Sequence, residues 1–278
     1  MESSQQCGEL PAGYEPPWID TSVADPARIY DAWLGGKDNF VPDRIAAQAG
    51  LNAFPAAAAS VRSNRAFLGR VVTHLAGEAG IRQFLDIGAG LPSDDNVLEI
   101  AQGVAPESRV ACVDNDPVVL LHSRAMLDSA EQGSAGYVDA DLRDPGTILD
   151  KAARVLDFSR PVAILLLGIL HFIQPEEGPH ELVRVLADAV PAGSYLAISH
   201  LAEDIYPEQV AAFVAAVGAH VREPAMPRDH AEVTRFFDGF SLLAPGVVQT
   251  SKWHPRDRAE SDAPAALWGG LAVREPGR

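Results

Sequence analysis

The segment Phe84–Leu91, which reads FLDIGAGL, constrains the fold more than any other part of the chain. Its apolar residues are typical of a buried strand, and Gly88 and Gly90 allow the backbone to turn sharply and to approach a ligand closely. A second apolar run, residues 110–113, ends at Asp114 after the length that one βαβ unit requires. A glycine turn followed by an acidic residue at the next strand end is typical of α/β proteins that bind an adenosine-bearing cofactor.

Beyond this segment, the sequence alternates regularly between apolar runs and helical patterns. The alternation predicts strands at residues 82–87, 109–113, 135–139, 162–167 and 194–199, with helices near 94–104, 116–130, 146–156, 176–190 and 207–219. Residues 247–250 and 267–273 are expected to add a closing antiparallel pair. We therefore predict an α/β fold with a doubly wound, mostly parallel, seven-stranded sheet and a ligand at the carboxyl ends of its strands.

The chain before this sheet has two parts. Residues 1–20 are rich in Ser, Gln, Glu, Gly and Pro, which is typical of a mobile arm. Residues 21–80 have the spacing of helices, including a long one near 55–78, and we expect this extension to cover the ligand site. The α/β domain then occupies residues 81–278, with a polar, lid-like insertion near 222–243.

Two adenosine-bearing cofactors are common in such folds, a nicotinamide dinucleotide and S-adenosylmethionine. A dinucleotide site normally has a third glycine and a helix N-terminus that binds the pyrophosphate. Here Ser93 takes the position of the third glycine, and Asp94 and Asp95 follow in what we expect to be the first helical turn. These carboxylates would repel a pyrophosphate but are compatible with a sulfonium cation. The alternative is that the two glycines only turn the chain.

Composition and charge argue against several classes of protein. The 278 residues carry a formal net charge of −16, which disfavours general binding to nucleic acid or to an anionic membrane. No apolar run is long enough to span a bilayer and the N-terminus lacks a signal-peptide pattern, so we expect a cytoplasmic protein. No disulfide between Cys7 and Cys112 and no metal site are expected. The oligomeric state is left open.

The ends of the first four strands provide the expected cofactor site. Asp86 and the turn would face the methionine part, and Asp114 could accept hydrogen bonds from both ribose hydroxyls. For the acidic residues the alternative is a turn or capping role. The full set of candidates is Asp86, Gly88, Ala89, Gly90, Asp114, Asn115, Asp141, Leu142, Gly168 and, as a partner of the cofactor carboxylate, Arg65.

These motifs resemble those of known enzymes. Asp86-x-Gly88-x-Gly90, Asp114 and Asp141 are similar to the binding motifs of class I S-adenosylmethionine-dependent methyltransferases. Longer segments resemble a bacterial family, formerly a domain of unknown function, that is named only "S-adenosyl methyltransferase". They are RIYDAWLGGKDNF at 28–40, NRAFL at 64–68, IRQFLDIG at 81–88, VDNDP at 113–117 and RFFDG at 235–239. The resemblance implies a Rossmann-like methyltransferase fold and S-adenosyl-L-methionine as cofactor, and it leaves the acceptor open.

The acceptor is expected between this sheet edge and the helical extension. His171 follows the fourth strand, and as a neutral imidazole it could take a proton from an oxygen or nitrogen nucleophile; Tyr30 is a second catalytic candidate. The alternatives are solvated loop residues near 35–39 and core packing of the histidines. Candidates for contact with the acceptor are Trp33, Lys37, Asn39, Phe40 and His200, with Asp38 and Phe236 as further wall residues.

Together these features predict an S-adenosylmethionine-dependent methyltransferase that methylates an oxygen or nitrogen of a small molecule without a catalytic metal. One alternative is a non-catalytic regulatory protein that binds S-adenosylmethionine or S-adenosylhomocysteine, because the sequence does not identify a general base unambiguously. A second alternative is an NAD(P)-dependent reductase. Such enzymes usually carry a Tyr-x-x-x-Lys pair, and the spacing between Tyr30 and Lys37 does not fit it.

Overall fold

The structure, a computed structural model, describes residues 19–92, 95–127 and 134–276. Most of the predicted mobile arm, including Cys7, and residues Ser93 and Asp94 lie outside the described residues. The predicted helical extension is present as α1 (Pro26–Leu34), α2 (Val41–Ala53) and α3 (Ala57–Gly77). Asp25 caps α1, because its side chain accepts a hydrogen bond from the amide of Ala27. Pro26 occupies the first turn, which favours the start of a helix at this point.

The predicted β/α alternation is confirmed in the remaining chain. Its first part comprises β1 (Gln83–Ile87), α4 (Val97–Val104), β2 (Arg109–Asp114), α5 (Pro117–Leu127), β3 (Ala135–Asp139), α6 (Pro145–Ala152), β4 (Ala163–Leu167), α7 (Pro179–Asp188), β5 (Tyr195–Leu201) and α8 (Pro207–Gly218). The second part comprises α9 (His230–Arg235), β6 (Ser241–Leu242), β7 (Val248–Gln249), α10 (Arg258–Asp262) and β8 (Leu267–Val273). The predicted closing pair corresponds to β7 and β8. The short elements β6 and α10 were not predicted.

The strands form one sheet in the order β3-β2-β1-β4-β5-β8-β6, with β7 also paired to β8. The described sheet has eight strands rather than the seven predicted, because β6 adds a two-residue edge strand. Strands β1 to β5 are parallel, and β8 runs antiparallel beside β5. The chain leaves β1 toward β2 on one side and returns to β4 on the other. This switch in direction opens a crevice at the carboxyl ends of β1 and β4.

Helices cover both faces of the sheet. On one face, apolar residues of α3 such as Phe67, Val71 and Leu75 pack against β1 and β2. On the other face, Ile148 of α6 and Leu186 of α7 pack against the same strands and against β4 and β5. All residues of β1 are buried, as expected for a central strand of a parallel sheet. We find no segment among the described helices with the length and apolar character needed to cross a bilayer.

One prediction about local structure needs correction, and the structure adds detail to the segment near 222–243. The predicted first turn of the helix after the glycine turn is wrong, since Asp95 has φ of 64° and lies before α4. Asn96 caps α4 instead, and the acidic residue in its first turn is Glu99. The segment near 222–243 is mostly exposed, but Val233 and Phe236 anchor it to the core because they are buried against the sheet. Only its first residues line the cleft described below.

A buried arginine joins the extension to the α/β domain. Arg28 Nε on α1 lies 3.6 Å from Asp43 Oδ1 on α2 and 3.6 Å from Asp116 Oδ2, which precedes α5. The guanidinium also donates to the carbonyl oxygens of Asp20 and Val23 and lies over the ring of Phe40. Because all three charged side chains are buried, neither carboxylate can replace this partner with water.

We expect Arg28→Met to lower the free energy of unfolding by about 3 kcal/mol, because it leaves two buried carboxylates without their cation. Urea unfolding followed by circular dichroism would measure this loss. The matched control is Arg184→Met, which removes an exposed arginine that pairs with Glu181 and Asp188. Equal losses in the two variants would contradict the role assigned to Arg28.

Candidate functional site

A cleft of about 1720 Å³ lies at the carboxyl ends of β1, β2 and β4. Its walls come from the glycine turn, the strand ends, α1 and α3, and one end of α8. Pockets for a single drug-sized ligand usually measure about 300–1,000 Å³, so this cleft has room for two ligands side by side. Among the described residues, no group of three or more His, Cys, Asp or Glu side chains could hold a metal ion.

The end of β2 holds the glycine turn in place. The amides of Gly88 and Ala89 both donate to the Val113 carbonyl, at 2.9 and 3.1 Å, and the Gly90 amide donates to Asp114 Oδ2 at 2.8 Å. Both glycines have positive φ, 75° for Gly88 and 67° for Gly90. A Cβ at Gly88 would lie 2.9 Å from Ile169, whereas a Cβ at Gly90 would meet only open space. The turn is therefore packed on one side and open to a ligand on the other.

The polar residues predicted around an adenosine are brought together. Asp114 accepts from the Gly90 amide and, through Oδ1, from the Asp116 amide at 3.0 Å, and the Asn115 amide also stabilises this carboxylate. At the next strand end, Asn115 Nδ2 donates to Asp141 Oδ2 at 2.8 Å. Asp141 also accepts from the Arg143 amide at 2.8 Å. These bonds fix the direction of both carboxylates at the cleft wall.

Three carboxyl groups of the cleft have raised pKa values. Burial raises the pKa of Asp86 to about 7 and that of Asp114 to about 6. Burial and the neighbouring Asp116 raise the pKa of Asp25 to about 7. Each group lies where its ionised form is poorly solvated, so a cation beside it would be favoured and a phosphate would be disfavoured. The carboxyl groups around the glycine turn therefore fit a cationic adenosyl ligand better than a diphosphate.

Two residues of the cleft were not identified from the sequence. Asp25 reads there only as a helix cap, and Asn64 reads as one polar residue inside a long helix. In the structure, Asp25 lines the cleft beside Asp116, and Asn64 lies next to Gly168 at the end of β4. A Cβ on Gly168 would lie 3.4 Å from Asn64 Nδ2. A polar residue on the buried stripe of an amphipathic helix was the signal that could have identified Asn64.

The predicted residues of the extension divide into two groups. Tyr30, Trp33, Lys37, Asp38 and Arg65 line the cleft, together with the predicted cofactor residues Leu142 and Gly168. Asn39 and Phe40 do not line it. Asn39 Nδ2 donates to Asp31 Oδ2 at 2.7 Å, and Phe40 packs with Leu91 and Val118 beneath Arg28. These two residues shape the loop after α1 rather than the cleft wall.

His200 and Phe236 are also placed away from the cleft. The His200 side chain is fully buried; Nδ1 lies 2.8 Å from the Leu201 carbonyl, and Nε2 lies 2.8 Å from Arg228 Nη1. Since the carbonyl only accepts and the guanidinium only donates, the ring is neutral with its proton on Nδ1. Phe236 stacks on this ring from inside the core. His200 is thus a core histidine, which was the alternative left open for it.

His171 lines the cleft but is a very weak base. Its Nδ1 accepts from the Leu201 amide at 3.4 Å, an arrangement that assigns the proton of the neutral ring to Nε2. Burial, together with the nearby Arg228 guanidinium, lowers the pKa of His171 to about 3. The same arginine donates to the carbonyls of Leu170 and Ile173 and so holds the loop that carries His171.

Comparisons with known proteins give a consistent result. A family model described as S-adenosyl methyltransferase matches residues 13–275. The chain is similar to the crystal structure of a DUF574 family protein from Streptomyces avermitilis, with 45% identity, a TM-score of 0.89 and coverage of 93% of this chain and 100% of that chain. It is also similar to a proposed methyltransferase from Thermobifida fusca, with 39% identity, a TM-score of 0.87 and coverage of 95% and 100%.

More distant comparisons concern the fold alone. An O-methyltransferase family protein from Burkholderia thailandensis is 16% identical, with a TM-score of 0.51 over 84% of this chain and 63% of that chain. No curated protein matches the chain in sequence. The predicted sheet architecture is therefore confirmed by structures with and without close sequence similarity.

The raised pKa of Asp86 predicts how stability depends on pH. The pKa of Asp86 is 3.8 in the unfolded chain and about 7 in the folded protein. Between these two pH values, Asp86 is protonated in the folded protein and ionised in the unfolded chain. This contribution lowers stability as pH rises through that range. Asp86→Asn cannot ionise, so its stability relative to the wild type in the absence of ligand should rise between pH 5 and pH 8, by about 2.5 kcal/mol.

Urea unfolding at both pH values would measure this difference. The matched control is Asp157→Asn, because hydrogen bonds from Ser159 lower the pKa of the exposed Asp157 carboxyl. That group stays ionised throughout the range, so its variant should differ from the wild type equally at pH 5 and pH 8. A difference for Asp86→Asn that is independent of pH would contradict the burial assigned to this carboxylate.

Proposed function

This chain belongs to the S-adenosyl methyltransferase family, and from that membership we propose that it methylates an oxygen or nitrogen atom of a small, largely apolar molecule. The protein is an S-adenosylmethionine-dependent methyltransferase. When bound, S-adenosylmethionine supplies an electrophilic methyl group on a sulfonium. The observation that carries the proposal about the acceptor is an aromatic wall in the part of the cleft beyond the glycine turn.

The geometry described above supports the following assignment of the cofactor side of the cleft. Asp86 and the open face of the turn at Gly90 would hold the methionyl part and the sulfonium. Asp114 would hold the ribose, since its carboxylate lines the cleft and has more acceptor sites than the three backbone amides use. The adenine would lie against Leu142, with Asn115 and Asp141 at its polar edge. Arg65 on α3 would pair with the cofactor carboxylate.

The aromatic wall consists of Trp33, Phe54 and Phe213. The Trp33 and Phe213 rings have centroids 5.4 Å apart, and those of Phe54 and Phe213 are 6.4 Å apart. All three side chains line the cleft, and they come from α1, the end of α2 and α8. Such a surface binds an apolar or aromatic ring by burial and edge contacts. The net charge of −16 supports a small acceptor over a nucleic acid.

His171 connects the wall with the cofactor side. The residue follows β4, close to Gly168 on the cofactor side. Its ring accepts a hydrogen bond from the Leu201 amide, and the Leu201 side chain packs in one hydrophobic cluster with Phe54 of the aromatic wall. A base with a pKa of about 3 has little driving force to take a proton at neutral pH. We therefore assign His171 the role of donating a hydrogen bond from Nε2 to the acceptor molecule. Alignment of donor and acceptor can supply several kcal/mol of the barrier without a base.

Labelled methyl transfer tests the proposed acceptor class. We expect a cell extract incubated with the protein and S-[methyl-³H]adenosylmethionine to carry label in its low-mass fraction. Phe213→Ala should lower that incorporation about tenfold, because it removes an aromatic contact to the acceptor. Its affinity for S-adenosylhomocysteine should remain unchanged in calorimetry. The matched control, Phe158→Ala, removes a half-buried ring outside the cleft and should retain transfer. Label confined to protein or nucleic acid would contradict the proposal.

Once an acceptor molecule has been identified, the pH dependence of methyl transfer to it tests the role of His171. If His171 donates and does not take up a proton, kcat should show no inflection of a histidine base between pH 5.5 and pH 8. His171→Gln, which keeps a donor, should retain more activity than His171→Ala. A rising limb near pH 6.5 in the wild type that His171→Gln abolishes would instead show that His171 acts as a base.

A further inference from the structure

Asn64 has a buried polar atom that finds no hydrogen-bond partner within residues 19–92, 95–127 and 134–276. The residue lies on α3, lines the cleft and is 3% exposed. Its Nδ2 donates to the Tyr30 hydroxyl at 3.2 Å, whereas its Oδ1 has no hydrogen-bond partner among the described residues. An unpaired buried amide oxygen destabilises a protein. A ligand group that donates to Oδ1 would recover that cost.

The orientation of the Asn64 amide is fixed by two neighbours. The Val61 carbonyl can only accept, so the Tyr30 hydroxyl, 3.3 Å from it, donates its single proton there. The hydroxyl then presents lone pairs to Asn64, and only the amide NH₂ can donate to them. A flipped amide would place oxygen against oxygen. Tyr30 therefore keeps Oδ1 as the free acceptor of this side chain.

The surroundings of Asn64 suit an amino-acid group. Gly168 at the end of β4 lies against the amide, and Arg65 follows Asn64 in sequence. Arg65 is close enough to Asp86 to oppose the rise of its carboxyl pKa. An amino acid in its zwitterionic form presents one carboxylate and one ammonium group. The Arg65 guanidinium can pair with the carboxylate of the ligand. The Asp86 carboxylate and the Asn64 amide oxygen can both accept hydrogen bonds from the ammonium of the ligand.

We propose that Asn64 Oδ1 accepts a hydrogen bond from the α-ammonium group of the methionyl part of S-adenosylmethionine, and that Tyr30 is a positioning residue for this contact. The N-terminal extension would then take part in binding the methyl donor, in addition to its contacts with the acceptor. This inference concerns the donor alone. Its failure would leave the proposed acceptor class untouched, and the reverse also holds.

Calorimetry with two ligands separates this contact from general effects on the site. S-adenosylhomocysteine carries the amino-acid group, whereas 5′-methylthioadenosine keeps the adenosine and sulfur and lacks that group. We expect Asn64→Leu to weaken binding of S-adenosylhomocysteine by about 10- to 100-fold, as for a lost hydrogen bond to a charged group. Binding of 5′-methylthioadenosine should change by less than about twofold, since it makes no such bond. Equal weakening for both ligands, or no weakening for either, would overturn the proposal.

A ligand-side change confirms which group Asn64 contacts. The probe is the S-adenosylhomocysteine analogue in which hydrogen replaces the α-amino group. Its loss of affinity relative to S-adenosylhomocysteine should be about tenfold smaller in Asn64→Leu than in the wild type, because the variant has already lost the contact. An identical loss in both proteins would show that the ammonium does not contact Asn64.

Tyr30→Phe provides a second variant if Asn64→Leu does not fold. It frees the Asn64 amide to rotate and keeps the ring of Tyr30 in place. We expect a weaker effect, about three- to tenfold on S-adenosylhomocysteine, with 5′-methylthioadenosine again unchanged. A parallel loss for both ligands would assign Tyr30 a purely structural role and would overturn the positioning role proposed here.

Discussion

The hydrogen bonds between the glycine turn and the end of β2 are the interaction on which the rest of the site depends. Gly88 and Ala89 donate to Val113, and Gly90 donates to Asp114. These bonds use the turn's own amides, so the turn keeps its shape without a ligand. They also direct the Asp114 carboxylate into the cleft. One set of backbone contacts thus places the features of β1 and β2 that the cofactor requires.

The same arrangement has a cost to the stability of the ligand-free protein. Asp86 is buried and Asp114 and Asp25 are partly buried, and the raised pKa values of all three reflect the poorer solvation of their ionised forms. A cationic ligand offsets this cost and a neutral one does not. The ligand-free site therefore already favours a positively charged ligand. A preference of this kind suits a sulfonium and an ammonium, and it opposes the phosphates of a dinucleotide.

Much of the fold could be predicted from the sequence because central parallel strands are continuous apolar runs, and each of β1 to β5 was found within two residues of its predicted ends. The start of α4 could not be predicted from the sequence, because Asp95 adopts a left-handed conformation that composition does not indicate. The position of His200 at a strand end predicts a place in the acceptor site. Its true environment depends on Arg228, which is 28 residues away in sequence. Contacts of that kind decide which way a side chain faces, and local pattern does not contain them.

The helical extension links the two halves of the cleft through one short helix. On α1, Tyr30 contacts α3 through Val61 and Asn64, while Trp33, three residues later, contacts Phe213 on α8. Arg28 anchors the same helix to Asp116 beside the ribose position. This helix is nine residues long and capped at both ends, so Tyr30 and Trp33 lie on one continuous helical segment. A shift of α1 that displaced Tyr30 would therefore also displace Trp33, so the proposed acceptor wall and the proposed contact to the methyl donor would be coupled through this helix.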